Sequence, residues 1–151
     1  DMREALRKGK ILVSNRYVSA NMGHQGAKID DPIERRKFLE WCREVEYGSS
    51  GFRIPQPDLT VLLDVNVGVS QDLIKNRVAE KGKDKDGHER NVPYLARVAE
   101  TFREIAKGDP TWRRIDCMNI RYKRKDSLLR PDVIQKKVWD IVSPYLPPID
   151  D

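Results

Sequence analysis

The stretch LTVLLDV at residues 59–65 decides the fold class of this chain. It is apolar at odd and even positions alike, with Thr60 and Asp64 as the exceptions. A strand of this composition has both faces covered, as in a parallel sheet that is packed between helices. The stretch therefore predicts a parallel α/β sheet.

The elements predicted on either side of this strand alternate between helix and strand. Residues 2–8 are predicted to be the end of a helix that Gly9 closes, and Asp31, Pro32 and Glu34 form a capping pattern at the start of another. Further strands are predicted at ILVS (11–14) and WRRIDC (112–117), and further helices at about 70–80, from Pro93 to Gly108, and from Pro131. Such alternation is typical of α/β folds.

Two segments are predicted to lack regular structure. NRYVSANMGHQGAK at residues 15–28 is poor in apolar residues, which argues against a core helix, and its polar side chains favour a binding segment. Residues 77–90 are charged and punctuated by glycine, which is typical of a surface loop.

The composition points to a basic protein of ordinary domain size. The chain has 151 residues and a net charge of +5, which suits a polyanionic partner such as nucleotide phosphate or nucleic acid, although a basic surface alone also explains it. The two cysteines form no CxxC pair and are expected to be buried thiols. No apolar run reaches the roughly 18 residues that a membrane span requires.

Four ordered landmarks resemble thymidylate kinases. VSNRYVSANMGHQGAK resembles the DRY-x-x-S-x-x-x-x-QG stretch of that family, and FRIPQPDLTVLLDV resembles its P-x-PDLT-x-x-LDV strand. NRVAEKGKDKDGHER, with the amphipathic helix after it, resembles the family's lid, and WRRIDC resembles its last strand. The landmarks cover nearly all of residues 8–142.

This resemblance implies an α/β fold with an incomplete P-loop kinase-type parallel sheet flanked by helices. Residues 1–151 would be the C-terminal portion of a single domain, with the first two strands missing and a lid loop at about 77–90. The chain contains no G-x-x-x-x-G-K-[ST] pattern. In the family the P-loop strand lies between the strands expected at 11–14 and 59–65, so residues 1–151 alone are expected to fold poorly or to self-associate.

The resemblance also implies roles for individual residues. Position alone leaves Arg16 open as a phosphate ligand or a surface ion pair; the resemblance makes it a catalytic residue that contacts phosphate, with Arg77 and Arg90 as the lid arginines. Asn21 and Gln25 would face the acceptor nucleoside, and His24 would either pack against base or sugar or face solvent. The implied substrate-binding set is Asn15, Tyr17, Ser19, Asn21, His24, Gln25 and Glu89, and no metal ligand is assigned.

The implied activity is phosphorylation of dTMP to dTDP by the full-length protein, with ATP as co-substrate and Mg²⁺. A cytoplasmic homodimer is expected, without membrane or nucleic-acid partners, and the chain alone is expected to be inactive. The family usually has aspartate where this chain has Asn15, so a catalytically impaired nucleotide-binding protein is an alternative. A nucleic-acid-binding module that uses the clusters at 75–90 and 121–130 is less favoured, because acidic residues interrupt the first cluster and aromatic residues do not interleave.

Overall fold

The computed structural model describes residues 1–81, 91–119 and 128–148, without the side chains of 77–81. Within these ranges the helices are α1 (Met2–Arg7), α2 (Val18–Gly26), α3 (Pro32–Tyr47), α4 (Val67–Lys81), α5 (Val92–Gly108) and α6 (Pro131–Val142). A 3-10 turn, Ser143–Tyr145, follows α6. The strands are β1 (Thr60–Asp64) and β2 (Trp112–Asp116).

The two strands form a parallel pair, which confirms the predicted fold class at this level. The register runs from Thr60 opposite Trp112 to Asp64 opposite Asp116. The chain between the strands includes α4 and α5, as a parallel connection requires. The carboxyl ends of both strands therefore lie at the same edge of the sheet.

Local capping explains where the two longest helices begin. Asp31 Oδ1 accepts hydrogen bonds from the backbone N–H groups of Ile33 and Glu34 at 2.8 and 2.9 Å, and Pro32 occupies the first turn of α3. At the start of α5, Asn91 Oδ1 accepts a hydrogen bond from the backbone N–H of Tyr94 at 3.0 Å. Side chains of this kind satisfy the backbone N–H groups that a helix start leaves without partners.

The main core lies where α2, α3 and α5 meet the sheet. Its buried members come from all of these elements: Met22, Leu39, Cys42, Ile105 and Trp112. A smaller cluster joins the end of α2 to the first half of α5. No helix among the described residues is long and apolar enough to cross a membrane.

The prediction of an irregular segment at residues 15–28 was wrong, because α2 occupies Val18–Gly26. Its buried positions include Gly23 and Gly26. A Cβ on Gly23 would overlap the ring of Phe102, and one on Gly26 would lie 3.2 Å from side-chain atoms of both Leu39 and Thr101. The helix is therefore stabilised by close packing of backbone against neighbouring side chains, which an apolar count along the sequence does not detect.

The strand predicted at residues 11–14 is also absent from the described structure. These residues belong to no helix or strand, pair with no described strand, and leave Val13 94% exposed. A strand is stabilised by ladder hydrogen bonds to a neighbour, and no described segment provides such a neighbour for residues 11–14.

Other boundaries differ less. Helix α4 begins three residues before the predicted start near Ser70 and continues through Lys81, so residues 77–81 of the predicted lid loop are helical. Residues 82–90 of that prediction lie outside the described residues. The apolar stripe predicted for α6 is half-buried at Ile134, Val138 and Ile141 rather than fully covered.

We expect Gly23→Ala to destabilise the protein. Alanine favours a helix over glycine by about 1 kcal/mol, but overpacking against Phe102 costs about 1–3 kcal/mol, so the free energy of unfolding should fall by up to about 2 kcal/mol. Urea denaturation measures the difference. The matched control is Gly108→Ala in α5, where an added Cβ meets nothing within 4 Å; a Gly23→Ala protein more stable than this control would contradict the packing argument.

Candidate functional site

A network of charges lies at the carboxyl end of β1, the edge of an α/β sheet where ligands bind. Asp64 is buried at 6% exposure. Arg103 of α5 donates to both of its carboxylate oxygens, from Nε at 2.7 Å and from Nη2 at 2.8 Å. Arg114 of β2 donates from Nε at 2.6 Å. The carboxylate is thus held by two guanidinium groups on two different elements.

These contacts set the protonation state of Asp64. Burial raises the pKa of the carboxyl group, but the hydrogen bonds and charges of Arg103 and Arg114 outweigh it, so the pKa lies below its usual value. The same carboxylate raises the pKa of Arg103. Asp64 is therefore an ionised structural anchor that ties α5 to both strands.

The described residues do not assemble a metal site. They contain no group of three or more histidine, cysteine, aspartate or glutamate side chains that could hold an ion. The acid nearest to the end of β1, Asp64, accepts from two arginines, and Asn15 carries no charge. A magnesium ligand is therefore not assigned to any of these residues.

Arg16 lies just before the first turn of α2, in a left-handed backbone conformation with φ of 69°. This conformation is uncommon for a residue with a Cβ. The Ser14 hydroxyl donates to the Arg16 carbonyl at 2.6 Å and stabilises the turn. The Arg16 and Asn15 side chains are exposed, so both can reach a ligand from solvent.

Tyr17 is bound to the scaffold instead. Its hydroxyl donates to the Pro55 carbonyl at 3.0 Å and lies 3.4 Å from Met2 Sδ. Burial and the Glu46 carboxylate raise the pKa of Tyr17, whereas Arg3 lowers it. Tyr17 therefore links the turn that carries Arg16 to the loop before β1.

The other predicted residues of α2 lie in different environments. Asn21 and Gln25 are exposed, and Gln25 Oε1 accepts from Lys28 Nζ at 2.9 Å. Ser19 lines a small cavity with Met22 and with Tyr47, whose pKa burial raises to about 12. This cavity reaches Thr60 and Trp112, at the amino ends of the strands, so it is not at the edge expected for a nucleotide.

His24 is partly buried and contacts two aromatic side chains. Its Nδ1 lies 3.2 Å from the Tyr94 hydroxyl, and its ring meets Phe102 edge to face, with centroids 6.1 Å apart. The imidazole thus packs between two aromatic rings of α5.

Arg16 and Gln25 do not share a described cavity. Arg16 precedes α2 and Gln25 lies in its last turn, and the helix from Val18 to Gln25 alone spans about 10 Å at about 1.5 Å per residue. The cavity beside α2 is lined by Ser19 and Met22 instead. The Arg77 side chain, Glu89 and Arg90 lie outside the described residues.

Sequence reasoning overlooked Arg103, Arg114 and Tyr94. Arg103 is a polar position beside the apolar stripe of α5, and Arg114 is one of two arginines in WRRIDC. The signal that could have identified the two arginines is Asp64, because a carboxylate within an otherwise apolar strand requires a cationic or hydrogen-bonding partner.

Several curated proteins that are similar to this chain are named thymidylate kinase. The thymidylate kinase of Thermomicrobium roseum is 30% identical over 142 residues, which are 94% of this chain and 58% of that protein. The thymidylate kinase of Cutibacterium acnes is 31% identical over 125 residues, or 81% and 52% of the two chains. The thymidylate kinase of Staphylococcus haemolyticus is 24% identical over 143 residues, which are 94% of this chain and 60% of that protein. The chain spans about half the length of these relatives, and no protein-family model matches it.

We expect Asp64→Asn to lower the free energy of unfolding by about 2 kcal/mol at pH 7, because charge-assisted hydrogen bonds of this kind contribute about 1.5–3 kcal/mol. Since the pKa of Asp64 is lowered on folding, its contribution is fully present above the unfolded pKa of about 3.9 and is lost as pH falls through the lower folded pKa.

Urea denaturation of both proteins between pH 7 and pH 3 checks this prediction. The difference between them should stay constant down to about pH 4 and then narrow. Asp116→Asn is the control, because Asp116 is exposed and its side chain accepts a hydrogen bond from the Met118 N–H at 2.9 Å. If the difference in unfolding free energy between the Asp64→Asn protein and the unmodified protein widens in acid, the pKa of Asp64 is raised rather than lowered on folding.

Proposed function

The chain belongs to the thymidylate kinase family, and from that premise we propose that the complete protein transfers the γ-phosphoryl group of ATP to dTMP, giving dTDP and ADP. The observation that carries the proposal is similarity to named thymidylate kinases over as much as 94% of this chain. The proposal includes a cytoplasmic location and a homodimeric state, and it involves neither a membrane nor nucleic acid.

Helix α2 supplies the acceptor side of the proposed site. Arg16 contacts phosphate through the paired N–H groups of its guanidinium, a geometry that matches phosphate oxygens. Asn21 and Gln25 read the acceptor, and the Gln25 amide can both accept from and donate to a pyrimidine edge. Their exposure supports this role, since a side chain must be accessible to bind a ligand. If Arg16 and Gln25 contact the same nucleotide, dTMP must extend along α2.

The lid supplies the donor side. Arg77 lies in the last turns of α4, and Glu89 and Arg90 immediately precede the Asn91 cap of α5. Arg77 and Arg90 neutralise charge on the transferring phosphoryl group, and Glu89 contacts the acceptor sugar or orders the lid. Phosphoryl transfer depends mainly on positioning and charge neutralisation, which arginine side chains can provide.

A further strand that carries a phosphate-binding loop completes the proposed sheet, between residues 11–14 and β1. The exposure of Ile11, Leu12 and Val13 supports this arrangement, as does Leu63 in β1, which is 50% exposed. Exposed apolar side chains and an unpaired strand edge are stabilised when further structure covers them. Mg²⁺ accompanies ATP in the proposal, without a ligand among the described residues.

The alternative is a protein that binds these nucleotides without efficient turnover. Asn15 favours it, because the family usually has aspartate there and an amide lacks the negative charge that helps to hold Mg²⁺.

We expect Arg16→Ala to lower kcat/KM for dTMP by about 10²-fold, the effect of losing one preorganised group that stabilises transition-state charge. Direct chromatography of dTDP formed from dTMP and ATP by the complete protein measures it. Arg36→Ala, an exposed arginine of α3, is the control and should retain activity. If the unmodified protein forms no dTDP, the kinase proposal fails.

We expect Asn15→Asp to change kcat by less than about tenfold, because positioning and charge neutralisation by other groups dominate phosphoryl transfer. Steady-state measurement of kcat at saturating dTMP, ATP and Mg²⁺, for the Asn15→Asp and the unmodified protein, tests this prediction. A gain of about 10²-fold or more would support the impaired protein instead.

A further inference from the structure

Arg103 and Arg114 have more hydrogen-bond donors than the Asp64 carboxylate uses. The carboxylate accepts from Nε and Nη2 of Arg103 and from Nε of Arg114. Within the described part of the chain, Arg103 Nη1 and both terminal nitrogens of Arg114 donate to no protein atom. The two side chains are 38% and 47% exposed, so a ligand can approach them from solvent.

The two guanidinium groups are neighbours. Arg103 Nε and Arg114 Nε donate to the same oxygen, Asp64 Oδ2, at 2.7 and 2.6 Å, so the two nitrogen atoms are separated by at most the sum of these lengths. A guanidinium group is rigid and planar, and a fixed Nε therefore keeps its terminal nitrogens close by. One small ligand can contact the unused donors of both groups.

The charge of this pair favours an anionic ligand. Two guanidinium groups share one buried carboxylate, so one of their two positive charges has no ion-pair partner among the described residues. After the larger effect of Asp64, the Glu100 and Asp116 carboxylates also raise the pKa of Arg103. Both of these acids are exposed, so solvent and salt screen their charge, and neither forms an ion pair with Arg103 in the described structure.

The pair lies at the edge of the sheet where α/β proteins bind ligands. Asp64 is the last residue of β1, and Arg114 lies two residues before the end of β2. Arginine N–H groups match phosphate oxygens in charge and geometry. A phosphate group has up to two negative charges and three acceptor oxygens, so it can accept from both guanidinium groups at once.

We propose that Arg103 and Arg114, oriented by Asp64, form a binding site for a phosphate group. The site uses neither Arg16 nor the predicted lid arginines Arg77 and Arg90. Inorganic phosphate and the phosphate groups of a nucleotide share the required chemistry. Only the nucleotide as the source of the phosphate rests on the proposed function.

The first experiment observes the two side chains directly. Nitrogen-15 NMR detects the arginine Nε–H signals of the complete protein, and Arg103→Gln and Arg114→Gln assign them. We expect inorganic phosphate to shift both signals along a saturating curve with a Kd on the order of 1 mM. Sodium chloride at equal ionic strength should not reproduce the curve, because a specific site distinguishes phosphate from general screening.

Arg113 is the matched control. It is exposed and adjacent to Arg114 in β2, but successive side chains of a strand point to opposite faces. Its Nη1 donates to the Pro110 and Trp112 carbonyls at 2.6 and 2.9 Å. If the signals of Arg103 and Arg114 move no more than that of Arg113, or move equally with chloride, the proposed site does not exist.

The second experiment measures what Arg114 contributes. The Arg103 signal still reports binding in Arg114→Gln, and Asp64 keeps its two hydrogen bonds from Arg103. We expect Arg114→Gln to weaken phosphate binding about tenfold and Arg114→Lys to weaken it less, because lysine keeps the charge without the paired N–H groups. Arg113→Gln should bind as the unmodified protein does. A folded Arg114→Gln protein with unchanged affinity for phosphate would contradict the proposal.

The third experiment identifies the source of the phosphate. ATP and dTMP are added separately at saturating concentration, and the phosphate titration is repeated in the presence of each. If a nucleotide supplies the phosphate, it shifts the Arg114 signal and prevents the response to inorganic phosphate. If the site takes free phosphate, the response persists. Either result supports the site, and a protein that responds to phosphate but forms no dTDP refutes the proposed function alone.

Discussion

The close packing of α2 against α5 is the constraint on which the rest of the structure depends. Gly23 admits the ring of Phe102, and Gly26 admits Leu39 and Thr101. These contacts place His24 beside Tyr94 and align Met22 with Ile105 in the core. A Cβ at Gly23 would require the Phe102 ring to shift, and a Cβ at Gly26 would press on the side chains of Leu39 and Thr101.

The charge network around Asp64 connects this helix pair to the sheet. Arg103 reaches the carboxylate from α5, the same helix that packs on α2, and Arg114 reaches it from β2. Burial of one carboxylate between two partly exposed guanidinium groups is favourable because each oxygen accepts a charge-assisted hydrogen bond. The Asp64 carboxylate thus ties α5 to the carboxyl ends of both strands, which is a structural role.

Helix α5 joins the two halves of the proposed chemistry. It begins directly after the segment that contains the predicted lid residues Glu89 and Arg90, and its first turn holds Tyr94 against His24. Asn91 caps α5 at the backbone N–H of Tyr94, so the start of α5 and the end of α2 are joined by a short run of contacts.

The sequence by itself determined the parallel strand pair, the four helices α3 to α6 and the family, because apolar periodicity, capping residues and ordered motifs are local signals. It also identified Arg16, Asn21, His24 and Gln25 as members of one motif. Only the tertiary structure decided that this motif is a helix, that residues 11–14 have no partner among the described strands, and that His24 and Asp64 are held by Tyr94, Arg103 and Arg114. The hydrogen bonds that hold His24 and Asp64 join residues that are 39 to 70 positions apart. Contacts at such separations leave no local pattern in the chain.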